Sequence, residues 1–184
     1  MSAVAAIPAL ARPIRRDEYE KMVELGFFRN ERVELLYGVI VRMSPHGPPH
    51  DSAIQRLNEL LVPALVGRAS VRIQSAFAAS DGSEPEPDIA IVPRGDYRAA
   101  HPARAFALIE VADSSLETDR GPKAKLYAEG GVEEYWVVNV RDGIVEVHSD
   151  IVRGSYTRTV PYRRGARIAL AAFPDVEISV DDIL

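Results

Sequence analysis

The stretch AFALIEVADSSLETDRGPKAKLYAEGGVEEYWVV, residues 105–138, sets a buried strand, a helix and a second strand one after another. AFALIEVA is apolar at nearly every position, as a strand covered on both faces must be. TDRGPKAKLYAEGG offers Thr118 or Asp119 as N-cap, Pro122 in the first turn and Gly130-Gly131 as a stop, which bounds a helix. One residue breaks the apolar logic. Period-2 alternation puts Phe106, Leu108 and Glu110 on one face and Ala107, Ile109 and Val111 on the other, so Glu110 points where apolar side chains point. A buried carboxylate without a partner is costly, and it takes up a proton, a cation or a metal instead.

Working outward, PEPDIAIV at 85–92 repeats the arrangement, with Asp88 at the mouth of a short apolar strand. If the two strands are neighbours, both carboxylates converge at one end of a sheet, and like charges that close need a cation between them. The helix supplies one. Lys123 and Lys125 point about 200° apart at roughly 100° per residue, so only one can face the sheet. Lys125 stands four before Glu129, an exposed ion-pair spacing, whereas Lys123 shares a face with Leu126 and Tyr127. Two acids and a lysine suit metal-assisted phosphodiester hydrolysis, with Mg²⁺ (or Mn²⁺) on the oxygen ligands and the lysine orienting water or offsetting charge. The same three residues suit a static ion-pair cluster in a non-catalytic binding module, and spacing alone leaves both open.

The rest of the chain fills in around this core. RRDEYEKMVELG reads as a short helix ending at Gly26, and RVELLYGVIVRM as a hairpin about Tyr37-Gly38. HDSAIQRLNELLVPALVG is a long helix with a kink expected at Pro63. SVRIQSAFAA alternates as a strand, EEYWVVNV and GIVEVHS flank Arg141-Asp142 as a hairpin, and YTRTVPYRRGARIAL extends the strand-rich end. The order predicts an α/β (α+β) fold, one mixed central sheet flanked by helices, with a loose tail over 1–13 and a single domain over 14–184.

Composition narrows the setting. The chain has 184 residues, no cysteine and a net charge of -5, which excludes disulfides, thiolate metal sites and cysteine nucleophiles and suits a cytoplasmic protein. No stretch approaches the ~20 apolar residues of a membrane helix. Between Ile151 and Pro174 lie five arginines, Arg153, Arg158, Arg163, Arg164 and Arg167, with no acid among them. That run is either a phosphate-contacting strip or a solvated hairpin.

The runs EPEPDIAIV and LIEVADSSLETDRGPKAKLYAEGGVEEYW resemble the Uma-type restriction endonucleases, a branch of the PD-(D/E)XK nuclease superfamily. The likeness spans roughly Val33 to Val147 and takes in ELLYG at the first hairpin, His50 leading the long helix and Gln74 before the acidic connector. It implies a restriction-endonuclease-like core acting on DNA, in many such nucleases as a homodimer. It implies Asp88 and Glu110 as metal ligands, the backbone carbonyl of Val111 as a further ligand, Lys123 as the catalytic lysine, and Glu34, His50 and Gln74 as auxiliary groups. The superfamily's lysine stands two residues after the second acid, where this chain has Ala112; the Uma-type pattern sets it on the next helix, four before the tyrosine, which matches Lys123.

Overall fold

The computed structural model describes residues 11–184; the tail expected over 1–13 lies, up to residue 10, outside the described residues. Helix α1 (Arg16–Glu24) leads to a hairpin of β1 (Val33–Leu36) and β2 (Val39–Arg42). Its turn residues Tyr37 and Gly38 have φ of 51° and 76°, the pair of left-handed conformations that a tight two-residue hairpin turn needs. Helix α2 (Pro48–Leu65) starts at a proline whose missing N–H is no loss in a first turn, and it runs through Pro63 to Leu65.

The central sheet follows: β3 (Ser70–Ile73), β4 (Ile89–Val92), β5 (Ala107–Ala112), β6 (Tyr135–Asn139), β7 (Ile144–Val152) and β8 (Ser155–Arg163), side by side in chain order. Only β5 and β6 run parallel. A parallel neighbour requires a crossover, and the helical segment between them provides it. This segment is α3 (Leu116–Thr118), a π-helical turn (Asp119–Lys123) and α4 (Ala124–Glu129). A second hairpin, β9 (Arg167–Leu170) with β10 (Phe173–Ser179), and the short α5 (Val180–Ile183) close the chain.

The sheet is covered on both faces. Leu57, Leu61 and Leu65 of α2, with Ile168, Ile178 and Ile183 of the closing elements, pack on Ile89, Ile91, Ile109 and Trp136. On the other face Leu126 and Tyr127 of α4 and Leu36 of β1 pack on Ala90, Leu108, Tyr135 and Val137. The mixed fold and the order of elements are as the sequence predicts. Three local expectations are corrected. The strand expected over 70–79 ends at Ile73, because Gln74 takes φ 42° and cannot continue the pleat. The crossover helix begins at Leu116, so Thr118 and Asp119 lie inside it rather than at its cap. Phe106 stands ahead of β5 and packs on the α2 side of the sheet, its ring 5.1 Å from Phe173, and not beside Leu108.

Candidate metal centre

A cavity of about 90 Å³ opens where β4 begins and β5 ends, and Glu34, Glu86, Asp88, Glu110, Asp119 and Lys123 line it. Antiparallel pairing sets Ile89 opposite Ile109, so the residue before Ile89 and the residue after Ile109, Asp88 and Glu110, fall at the same end of the sheet. Both are buried, at 6% and 4% exposure.

Asp88 is held from three sides. Its Oδ2 accepts the Val111 N–H at 2.8 Å and lies 3.2 Å from His50 Nε2, while Oδ1 accepts from Gln74 Nε2 at 3.3 Å. Burial alone would raise its pKa, but these donors and the His50 charge outweigh it and hold the carboxyl below its ordinary value. The backbone fixes a further oxygen. The Leu108 N–H and the Ala112 carbonyl bond toward β6, so the alternation along a strand turns the N–H and carbonyl of Val111 to the opposite side, where the N–H meets Asp88.

Glu110 takes its contacts from the crossover. Lys123 Nζ is 3.0 Å from its Oε1, and the Tyr127 hydroxyl donates to the same atom at 2.7 Å. Lys123 also reaches Glu34 Oε2 at 3.1 Å, so one ammonium bridges strand β5 and the first hairpin. The π turn supplies this reach, since it ends at Lys123 and presents that side chain inward beside Tyr127. Burial pulls the lysine pKa down, yet Glu110, Glu34 and Asp119 together leave it above the ordinary value. Burial pushes Glu110 well up, against Lys123, and the charges of Asp119, Asp88 and Glu34 add to the rise. Asp119, bonded by Ser115 Oγ at 2.6 Å, is likewise pushed up to about 6 by burial.

A divalent ion fits this donor set. The groups are oxygens crowded by like charge, which suits Mg²⁺ or Mn²⁺, and Glu110 Oε2 has no hydrogen bond to a described residue. Asp88, Glu110 and a third acid are not drawn to within 4.8 Å of one another; among the described residues only His46, His50 and Asp51 are gathered so closely.

The family model described as "putative restriction endonuclease", Uma2, matches residues 16–181. The chain belongs to the Uma2 family. No curated protein matches it. Among solved structures, a putative nuclease belonging to DUF820 from Anabaena variabilis ATCC 29413 superposes with a TM-score of 0.68 at 16% identity, over 93% of this chain and 97% of that one. The likeness at that identity is one of fold.

In this Uma2 chain the structure brings Glu34, His50, Gln74, Asp88, Glu110, Val111 and Lys123 together at one end of the sheet. The five arginines stand elsewhere and line no wall of the cavity. Arg158 and Arg163 sit on β8, the far edge of the sheet, at positions of opposite parity and so on opposite faces. Arg153 sits in the turn before β8, and Arg164 and Arg167 pair with Asp181 at 3.5 Å and Glu177 at 2.9 Å. Tyr127 is legible in sequence only as a core residue, and Asp119 as a helix cap and a partner for Lys123. The signal for Tyr127 was its place one turn after Lys123 on the buried face.

Proposed function

We propose that this Uma2 protein is a divalent-metal-dependent DNA endonuclease that hydrolyses phosphodiester bonds. One observation carries the reading: a lysine absent from its usual place two residues after the second acid reaches that acid from the next helix, at 3.0 Å. Ala112 holds the usual position and is fully covered.

Asp88, Glu110 and the Val111 carbonyl are the proposed holders of Mg²⁺ or Mn²⁺, which supplies Lewis-acid polarisation of a phosphoryl oxygen. Lys123 keeps its proton across the working pH range and sets a fixed positive charge beside the reacting phosphate. Glu34 shares that ammonium and limits its swing, and the Tyr127 hydroxyl orients Glu110. Gln74 and His50 hold both oxygens of Asp88.

The test is cleavage of plasmid and single-stranded DNA with Mg²⁺ or Mn²⁺ by wild type, Asp88→Ala and Lys123→Ala. Wild type is expected to cut, chelation with EDTA to abolish cutting, and each variant to lose about two orders of magnitude or more, the scale of a lost electrostatic group. Cutting that persists unchanged in both variants rules out this site. A folded wild type that cuts neither substrate with either ion leaves the cluster as the ion-pair network of a binding module.

A further inference from the structure

The loop ahead of α2 brings His46 back over His50, four residues on, and the two imidazoles stack with centroids 4.0 Å apart and planes at 27°. Both Nδ1 atoms turn to Asp51, whose Oδ1 is 3.3 Å from His50 and 3.8 Å from His46. One ligand atom from each of the three lies within 4.8 Å of the other two. Around a tetrahedral ion with bonds of about 2.0–2.1 Å, ligand atoms stand roughly 3.3 Å apart. The cluster is close to that spacing, and the Asp51 side chain, 65% exposed, has room to complete it.

A second observation is independent of that spacing. His50 Nε2 faces Asp88 Oδ2 at 3.2 Å, and an ionised carboxylate only accepts, so Nε2 carries a hydrogen and Nδ1, turned to Asp51 at 3.3 Å, is the ring atom placed to meet an ion. A carboxylate behind the imidazole is the arrangement that orients metal-ligating histidines. We propose that His46, His50 and Asp51 form a second divalent-ion site of two nitrogens and one oxygen, taking Zn²⁺-class ions. Imidazole donors favour Zn²⁺, Co²⁺ and Ni²⁺ over Mg²⁺, which separates this site chemically from the oxygen set of Asp88, Glu110 and Val111. Three protein ligands leave a position for water or a phosphate oxygen, and His46 and His50 both line the cavity. Gln74 Nε2, 3.4 Å from His46 Nδ1, gives up that contact on binding and retains Asp88. The site stands whether or not the chain cuts DNA.

Calorimetric titration of the metal-free full chain with Zn²⁺, without nucleic acid, tests it, with Co²⁺ absorption reporting nitrogen ligation. One ion per chain is expected, with His46→Ala and Asp51→Ala each weakening binding about tenfold or more, the scale of a lost metal-shell group. His101→Ala, at a histidine that does not line the cavity, is expected to leave the Zn²⁺ affinity unchanged. Urea melts establish that the variants are folded; Asp51 is exposed, so its variant keeps the core intact. The proposal is overturned if wild type binds no Zn²⁺, if both His46→Ala and Asp51→Ala bind as wild type does, or if His101→Ala loses as much as His46→Ala.

Discussion

Lys123 divides one ammonium between Glu110 and Glu34, at 3.0 and 3.1 Å, in a site only 5% exposed. Removing one partner of a buried pair costs about 3–5 kcal/mol because the charge left behind is uncompensated. Glu110 already has its pKa driven up by burial, so it takes a proton when the lysine goes, which limits the loss. Lys123→Met is expected to lower unfolding free energy by about 3 kcal/mol in urea melts at neutral pH, and Lys123→Met with Glu34→Gln to recover part of it. A single variant as stable as wild type would show the pair to be neutral. Glu84 makes the opposite case. It is buried beside Glu20, its Oε2 has no hydrogen-bond partner among the described residues, and burial pushes its pKa from 4.5 up to about 8. A raised carboxyl pKa means the folded state holds the proton longer, so stability is fully present below pH 4.5 and is lost as pH rises through about 8. At 1.36 kcal/mol per pKa unit, and with the adjoining cleft admitting water, the loss is on the order of 2–4 kcal/mol. Glu84→Gln should match wild type at pH 4 and exceed it by that amount at pH 9; equal denaturation midpoints at pH 9 would refute the assignment.

At the level of elements, the site depends on two short pieces that position Glu34 and Lys123. The first hairpin is docked by its turn: Gly38 N–H donates to Gly82 at 2.7 Å and its carbonyl accepts the Ile14 N–H at 3.0 Å. A Cβ at Gly38 would stand 2.4 Å from Pro13 Cβ, and its φ of 76° is one that side chains avoid. Gly38→Ala is therefore expected to destabilise by about 1–3 kcal/mol, read as an earlier urea midpoint. An unchanged midpoint would mean that the entering segment is not fixed on the hairpin. The hairpin itself was legible, since ELLYGVIV sets two β-rich arms about a turn pair, and so were β4, β5 and the inward face of Lys123. What could not be read was set by tertiary contacts. Gln74 ends the strand at φ 42° while its N–H still meets the Asp88 carbonyl at 3.0 Å and its side chain the Asp88 carboxylate, partners 14 residues away. The π turn places Pro122 within a helix that local capping signals would start later. His46 meets His50 through the path of its loop, which helix periodicity does not reach.

For the molecule as a whole, charge decides what the cavity can admit. The net charge is -5, and the cavity wall carries six acids, Glu34, Glu86, Asp88, Glu110, Asp113 and Asp119, against Arg42 and Lys123. Such a wall repels a polyanion; the β8 arginines are too far along the sheet to offset it locally, and Arg164 and Arg167 are paired with Asp181 and Glu177. The sequence made those arginines look like a strip because they are near in number; the pleat and the acids of β10 and α5 disperse them. On the nuclease reading, attraction for DNA must then come largely with the divalent ion. Fluorescence anisotropy of labelled DNA at about 0.15 M salt, where exposed charges are screened beyond roughly 8 Å, should show little binding in EDTA and about tenfold or tighter binding when Ca²⁺, an oxygen-seeking ion, is added. Asp88→Asn should lose the Ca²⁺ response, while charge removal at Arg158 and Arg163 should weaken binding modestly and equally with and without the ion. Tight binding in EDTA that falls with Arg158→Ala and Arg163→Ala would instead make the β8 edge the principal DNA contact and leave the acidic cavity without a part in holding the strand.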